Sequence, residues 1–460
     1  MFEILSALNV PNLLSFISVL FSWNAMFIYA AVFIVIVILL IVLLMTKNGR
    51  GSDNITAKIE ASGITTVNGV SGASEEDSAP IPGESVEGDK KVKKGGNRER
   101  FNVLSRIDRN RMAYERVKYD DNVTLKKICD DFRNYCAQKL KLYYSIDDIR
   151  RFISGLLVSH IVILQGMSGT GKTPLAFAFG KYIDNTTTVI PVQPMWKERT
   201  DLIGYYNEFT KRFNETTLLQ KMYEANYSKD IYVTLLDELN IARVEYYFAE
   251  FLSLLEIPNV EERYLDVVTD TWDNDPKQLK DGRIRLPDNM WFIGTANNDD
   301  STFAISDKVY DRAMIMNLDT KCEKFGGKRV KNLHITAERF KELGKEALEE
   351  YGLTVRNEKR LKELDEYMIA KFHVTFGNRI MKQIRTYVPI YEACGGEETE
   401  ALDDILAKKI MRKLEMQNPV YVRSVAAENR EFWNRHSECA GQREKATEQV
   451  LDANKDQLID

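Results

Sequence analysis

The chain has 460 residues, enough for two or three domains, and 44% of them are apolar, an ordinary share for a protein with a sizeable soluble core. Its 68 acidic and 63 basic side chains leave a net charge of -5, which excludes a general pull toward nucleic acid or anionic lipid and confines any polyanion binding to a local patch. The five cysteines and four histidines are scattered without metal-ligand spacing, so they read as reduced thiols of a cytosolic soluble part with no zinc site.

Residues 1–24 form an uncharged N-terminal segment apart from Glu3. Asn9, Pro11, Asn12, Ser15 and Ser18 dilute its apolarity, so it reads as an interfacial helix, with a second membrane span as the alternative. The run Ala25 to Met45, "AMFIYAAVFIVIVILLIVLLM", has no charge, and at about 1.5 Å per residue it spans roughly 31 Å, the hydrocarbon thickness of a bilayer. No polar face interrupts it, so a transmembrane helix is expected rather than a buried core helix, and it lacks the basic leader and small-residue cleavage site of a secretory signal. Lys47 and Arg50 follow the span while only Glu3 precedes it, which places the chain after residue 46 in the cytoplasm. The expectation is a membrane protein with one pass, or two if residues 4–24 also cross.

Residues 46–98 are rich in Gly, Ser and acidic side chains and turn basic at "KKVKKGG". Such a composition cannot bury a core, so a disordered linker is expected, with an r.m.s. reach of about 39 Å for roughly 50 residues of coil. From 99 to 158 the pattern is helical, and "IRRFISGLLVS" sets Ile149, Phe152, Ile153, Leu156 and Leu157 on one face. "HIVIL", His160 to Leu164, is a β-branched run of the kind that forms a buried parallel strand, and similar runs recur at Val189–Val192, Ile231–Leu236, Trp291–Gly294 and Ala313–Leu318. Five strands alternating with helices predict an α/β domain over 159–330, a parallel sheet with helices on both faces. Residues 331–460 read as helix only, ending in a charged tail.

Chemistry concentrates at the ends of those strands. "GMSGTGKT" fits G-x-x-x-x-G-K-[ST] between a strand and a helical run. In that motif the backbone N–H groups of Gly166, Met167, Ser168, Gly169, Thr170 and Gly171 curl around phosphate oxygens, Lys172 reaches the β and γ phosphates, and the Thr173 hydroxyl goes to Mg2+. The helix start adds partial positive charge, and Pro174 is tolerated there because a first-turn N–H has no helical partner. "IYVTLLDELN" ends in two carboxylates, with Asp237 expected to hold Mg2+ through water and Glu238 to serve as base for an attacking water. Taken alone, such a pair is a solvated loop. "WFIGTANN" offers Asn297 to orient that water, against an Asx turn or the same role for Asn298. In "SDKVYDRAMIM", helical spacing puts Asp307 and Asp311 on one face and Lys308 and Arg312 on the next, which leaves Arg312 free to point outward. The alternative is an arginine that completes a helix end or meets a nearby acid.

Together "GMSGTGKT", "TLLDELNIARVEYYFAEFLSLLE", "FIGTANNDDSTFAISDKVYDRA" and "FGNRI" make roughly residues 145–415 resemble the AAA+ ATPases, in the branch of McrB, MoxR and the dynein-related modules. The resemblance implies an AAA+ P-loop NTPase fold with a C-terminal α-helical lid, Gly166–Thr173 as Walker A, Asp237 and Glu238 as Walker B, and Asn297 as sensor 1. It implies Arg312 as an arginine finger for the γ phosphate bound by the next subunit, and Arg379 as a nucleotide-contacting sensor 2. ATP and Mg2+ are the implied cofactors, and a hexameric homo-oligomeric ring the implied assembly. The McrB type is a GTPase with a Met-Asn-x-x-Asp-Arg-Ser signature; "TANNDDST" departs from it, so ATP is expected and GTP stays open. "WKERTDLIGYYNEFTKRF" is similar to loops that line a pore, with Trp196, Tyr205 and Tyr206 as exposed aromatics. Glu256–Pro287 is read as a hairpin, structural or projecting from the ring. The expected activity is that of a membrane-tethered ATPase remodelling a protein partner; a nucleic-acid motor like McrB and a nucleotide-switch scaffold are the alternatives.

Overall fold

The computed structural model describes residues 99–114, 118–297, 302–319, 322–415 and 417–428, all within one compact unit, 93–460. The expected span at 25–45, its flanking segments up to residue 98 and the tail beyond 428 lie outside the described residues. Among the described residues no helix is long and apolar enough to cross a membrane.

The chain enters through α1 (Val103–Arg109), α2 (Leu125–Tyr135) and α3 (Ile146–Val158), then β1 (Ile161–Gly166), α4 (Lys172–Tyr182), β2 (Thr188–Pro191), α5 (Thr200–Ile203), a short hairpin of β3 (Tyr206–Asn207) and β4 (Arg212–Phe213), α6 (Thr217–Ala225) and β5 (Tyr232–Asp237). After α7 (Val244–Tyr247) and α8 (Ala249–Leu254) come β6 (Tyr264–Asp266), β7 (Leu279–Lys280) and β8 (Arg283–Arg285), then β9 (Met290–Asn297), α9 (Asp307–Tyr310) and β10 (Met314–Asn317). The rest is α10 (Ala337–Glu350), α11 (Val355–Phe372), α12 (Gly377–Ala393), α13 (Glu398–Lys409) and α14 (Pro419–Glu428). Hydroxyls start several helices: Thr124, Ser145, Thr216, Thr336 and Thr354 each accept from the backbone N–H three residues on, at α2, α3, α6, α10 and α11. At α1 the Glu215 carboxylate does the same work from afar, accepting from the N–H groups of Asn102, Val103 and Leu104 at 2.7–3.0 Å.

The five expected strands form one parallel sheet in the order β10-β1-β9-β5-β2. Because successive strand residues point to opposite faces, β10, β1, β9 and β5 each feed two cores, while the edge strand β2 buries one face and leaves Val189 exposed. Val162, Leu164, Val233, Leu235, Trp291, Ile293, Met314 and Met316 join the cluster with α2, α3 and α4. Ile161, Ile163, Tyr232, Leu236, Met290, Phe292 and Ile315 join the other, with α1, α6 and α8. Trp291 is buried with its indole N–H donating to Leu156 O at 2.7 Å, so no polar atom is stranded there. Phe340, Leu343, Tyr387 and Ile405, from the helices after residue 330, belong to the first cluster. Those helices therefore share a core with the sheet domain instead of closing a separate one.

The segment 256–287 folds as a small antiparallel sheet, β6-β8-β7, in which Asp281 and Gly282, both at positive φ, make the tight turn that twisted hairpins favour. Leu265, Ile284 and Leu286 anchor it in the second core, and buried Arg100 binds the Asp275 carboxylate at 2.5–2.7 Å. Of the aromatics expected to be exposed near β3, Trp196 packs edge-on against Tyr247 and Tyr206 against Trp272, and both are half-buried. Tyr205 is exposed as expected, and Phe209, between β3 and β4, stands clearest at 99%.

Candidate functional site

Parallel register brings the polar strand ends together. Gly166 at the end of β1 pairs with Asn297 at the end of β9, and Leu236 of β5 pairs with Gly294, so Asp237 comes beside Thr295. The loop after β1 needs its glycines for specific reasons. Gly166 has φ 137°, and a Cβ there would stand 2.6 Å from Leu318 O; Gly171 has φ 98° and would bring a Cβ to 3.2 Å from the Tyr144 hydroxyl. That phenol donates to Gly171 O at 2.9 Å, and burial holds its pKa far above the ordinary value, so it stays a donor. Met167, Ser168 and Gly169 are exposed, and Thr170 folds its hydroxyl onto Met167 O at 3.0 Å.

Lys172 begins α4 and is buried, its ammonium donating to Gly166 O at 2.8 Å and Met167 O at 2.7 Å. The amine thus lies inside the curl of the loop, where a phosphate would find it. One residue on, the Thr173 hydroxyl donates to Asp237 Oδ1 at 2.7 Å, and the Thr295 hydroxyl meets the same oxygen at 2.8 Å. Thr295 Oγ1 also accepts from the Glu238 N–H at 2.8 Å. Glu238 stands at φ 55°, ψ 48°, a left-handed conformation uncommon for a residue with a Cβ, and it turns the chain sharply out of β5. Asn297 accepts at its main-chain oxygen from Asn240 Nδ2 at 2.9 Å and Thr302 Oγ1 at 3.1 Å, which fixes the strand end beside the acidic pair. Asn298 lies outside the described residues.

The arginines are elsewhere. The helix expected to carry Arg312 on its face is α9, which ends at Tyr310, and Arg312 follows it in a turn. Its NH1 donates to Lys308 O at 2.8 Å and its NH2 to Glu256 Oε2 at 2.9 Å, while Nε is buried with no acceptor among the described residues. Arg379, at the start of α12, binds the other oxygen of Glu256 at 2.5 Å. Arg379 is thus joined to Arg312 through a shared acid, and no bond among the described residues ties it to the Gly166–Thr173 loop. Sequence reasoning did not find Thr295, Asn240 or Glu256. Thr295 stood inside the quoted "GTANN" run, but nothing in local pattern marks a hydroxyl that braces two carboxylate-bearing residues.

Residues 161–313 match the family model described as AAA domain (dynein-related subfamily). The segment bearing the loop, the acidic pair and the arginine turn is therefore AAA+ in type. Residues 330–453 match a second model, a domain of unknown function (DUF8727). No curated protein matches the chain. Among solved structures, a candidate ATPase from Cytophaga hutchinsonii ATCC 33406 aligns with 71% of this chain and 96% of its own, at 14% identity and a TM-score of 0.43. A full-length MCM homolog from Methanopyrus kandleri aligns over 61% of this chain and 58% of its own, at 12% identity and a TM-score of 0.35.

The residues present fit a magnesium-bound nucleoside triphosphate. The hydroxyl of Thr173 and the carboxylate of Asp237 are hard oxygen donors already in contact, and one or two such donors suffice for Mg2+, which keeps waters and takes phosphate oxygens for the rest.

Proposed function

We propose that this chain is a membrane-tethered ATPase that hydrolyses ATP with Mg2+ in a ring of identical subunits and remodels a protein partner. The observation that carries the reading is the bonded run from Thr173 through Asp237 and Thr295 to Glu238, beside a buried Lys172 inside a glycine-rich loop. Phosphoryl transfer asks the protein for positioning and charge neutralisation more than covalent chemistry. Lys172 exchanges its two loop carbonyls for β and γ phosphate oxygens. Thr173 and Asp237 would hold Mg2+, which would supply further charge neutralisation at the phosphates. Glu238 takes the proton of the attacking water, and Asn297 orients that water.

Arg312 supplies the remaining positive charge to the γ phosphate of a neighbouring subunit. Here its NH1 and NH2 are held by Lys308 O and Glu256 of its own chain, the nearby-acid alternative, so this role requires the arginine to leave those partners. Arg379 shares that acid and acts on the same side. The tether rests on the uncharged run Ala25–Met45.

Turnover of the full chain in detergent, with Glu238→Gln beside it, tests the reading. The expected result is a fall in kcat of about 10²- to 10⁴-fold with nucleotide binding retained, as for loss of a general base. Equal turnover in the two proteins would favour a nucleotide switch that does not depend on hydrolysis.

A further inference from the structure

Every main-chain carbonyl of the turn that presents Arg312 is taken by a side chain from another element. Tyr310 O accepts from Lys409 Nζ at 2.5 Å, Asp311 O from Gln383 Nε2 at 3.0 Å, Arg312 O from Ser159 Oγ at 2.9 Å, and Ala313 O again from Lys409 Nζ. Around this cage the Arg412 guanidinium lies 3.6 Å over the Tyr310 ring and pairs with Asp307, and Lys413 Nζ stands 3.7 Å from Asp311 Oδ1. Lys409 ends α13, Gln383 lies in α12, and both belong to the helical region after residue 330.

Lys409 is 3% exposed, and the two carbonyls are its only hydrogen-bond acceptors among the described residues. A lysine needed only for solubility would keep its amine in water. Here the amine is driven into a turn and spans the two carbonyls that bracket Asp311 and Arg312.

We infer that Lys409 is a positioning residue for Arg312, pinning the arginine's turn to α13 so that a shift of the C-terminal helices moves the arginine with them. The inference rests on the proposed role of Arg312 and adds the lever that sets it. Burial pushes the Lys409 ammonium down to about 7; the Asp311 carboxylate pulls the other way, while Arg412, Lys413 and Arg379 add to the push. A neutral amine offers two N–H groups to two carbonyls, whereas the ammonium brings a third that no described acceptor meets. Between about 7 and lysine's ordinary value near 10 the buried amine holds fewer protons than a hydrated one, so the contact is favoured toward high pH, weakens as pH falls from about 10 to about 7, and is independent of pH below that.

The test compares the full chain with Lys409→Met and Lys409→Gln by steady-state turnover from about pH 6 to about pH 9, and by hydrogen exchange at the amides of 311–316 at one fixed pH. Lys409→Met is expected to lose kcat about tenfold, the scale of two weakened hydrogen bonds, with KM and nucleotide affinity within about twofold. Lys409→Gln keeps two N–H donors without titrating; it is expected to recover part of the kcat and to lack the wild-type decline as pH falls from about 9 to about 7. Exchange at 311–316 should accelerate in Lys409→Met while β2 is unchanged. Unchanged exchange, equal losses in kcat and nucleotide affinity, or an identical acid decline in wild type and Lys409→Gln would overturn the inference. Should Lys409→Met fail to fold, Gln383→Leu, which frees the Asp311 carbonyl of the same turn, takes the same readouts. A wild-type chain without turnover would remove the proposed function instead, and the exchange comparison would still decide whether Lys409 holds the turn.

Discussion

Around Lys172 the chain is held by strand register and mostly by the loop's own side chains closing on its carbonyls, whereas around Arg312 it is held by side chains that arrive from far along the sequence. The loop side is a product of parallel register: Gly166 against Asn297 and Leu236 against Gly294 line up the strand ends, and a single residue, Thr295, braces the acidic pair. The arginine side depends on Ser159, Glu256, Gln383 and Lys409, which reach the turn across sequence separations from 56 to 153 residues. Strand ends in a packed sheet have one arrangement, but a turn caged by helices can follow those helices. On the function proposed above, the loop side would hold nucleotide and the arginine side would be engaged or withdrawn.

The substitution that cuts deepest into this contrast is Arg312→Ala. It is expected to lower kcat by about 10³-fold, the lower end for a finger arginine, while nucleotide affinity stays within about twofold. Mixing Arg312→Ala with Lys172→Ala subunits should restore part of the turnover, because each would lend the other its intact half. Loss of nucleotide binding in Arg312→Ala alone would place the arginine on the loop side and dissolve the contrast. On the loop side the corresponding probe is Thr295→Val, similar in shape but without the hydroxyl that meets Asp237 Oδ1 and the Glu238 N–H. Two lost bonds of this kind cost about 1 kcal/mol each, so kcat is expected to fall about ten- to thirtyfold with the fold intact by thermal melting. A variant indistinguishable from wild type in turnover would mean that register alone holds the acids in place.

The same contrast explains what could be read ahead of the structure. All five strands were legible, four because a strand buried on both faces announces itself as a short apolar run and β2 because its β-branched pair survives on a half-exposed edge, and "GMSGTGKT" is legible because phosphate binding by backbone needs glycine and lysine at fixed spacing. Arg312 was legible as a cation but not in its setting. Helical spacing extended α9 through it, whereas the helix stops at Tyr310 and the carbonyls of the following turn accept from Lys409, Gln383 and Ser159, which lie far along the sequence. Trp196 and Tyr206 were misjudged as exposed because their partners, Tyr247 and Trp272, lie in segments that no local pattern ties to them. Glu256 was visible only as the first residue of an insertion, although it is the acid that both arginines share.

That acid gives the smallest expected effect and the sharpest statement of the contrast. Arg312 spends NH1 on Lys308 O and NH2 on Glu256, so the arginine is parked on its own chain, and Arg379 is parked with it. The three side chains are partly exposed, with Glu256 at 34% and Arg379 at 47%, so water screens the pairs and their joint worth to stability is below about 1 kcal/mol. Such a contact is weak enough to be exchanged for a phosphate, which binds arginine forks through more oxygens and more charge. Glu256→Gln keeps the shape and removes the charge that competes. It is expected to leave melting nearly unchanged and to raise turnover about two- to threefold at subunit concentrations where association limits the rate, an effect that fades as concentration rises. A fall in turnover at every concentration would mean instead that Glu256 aims the arginines, and that the turn around Arg312 is as fixed as the loop around Lys172.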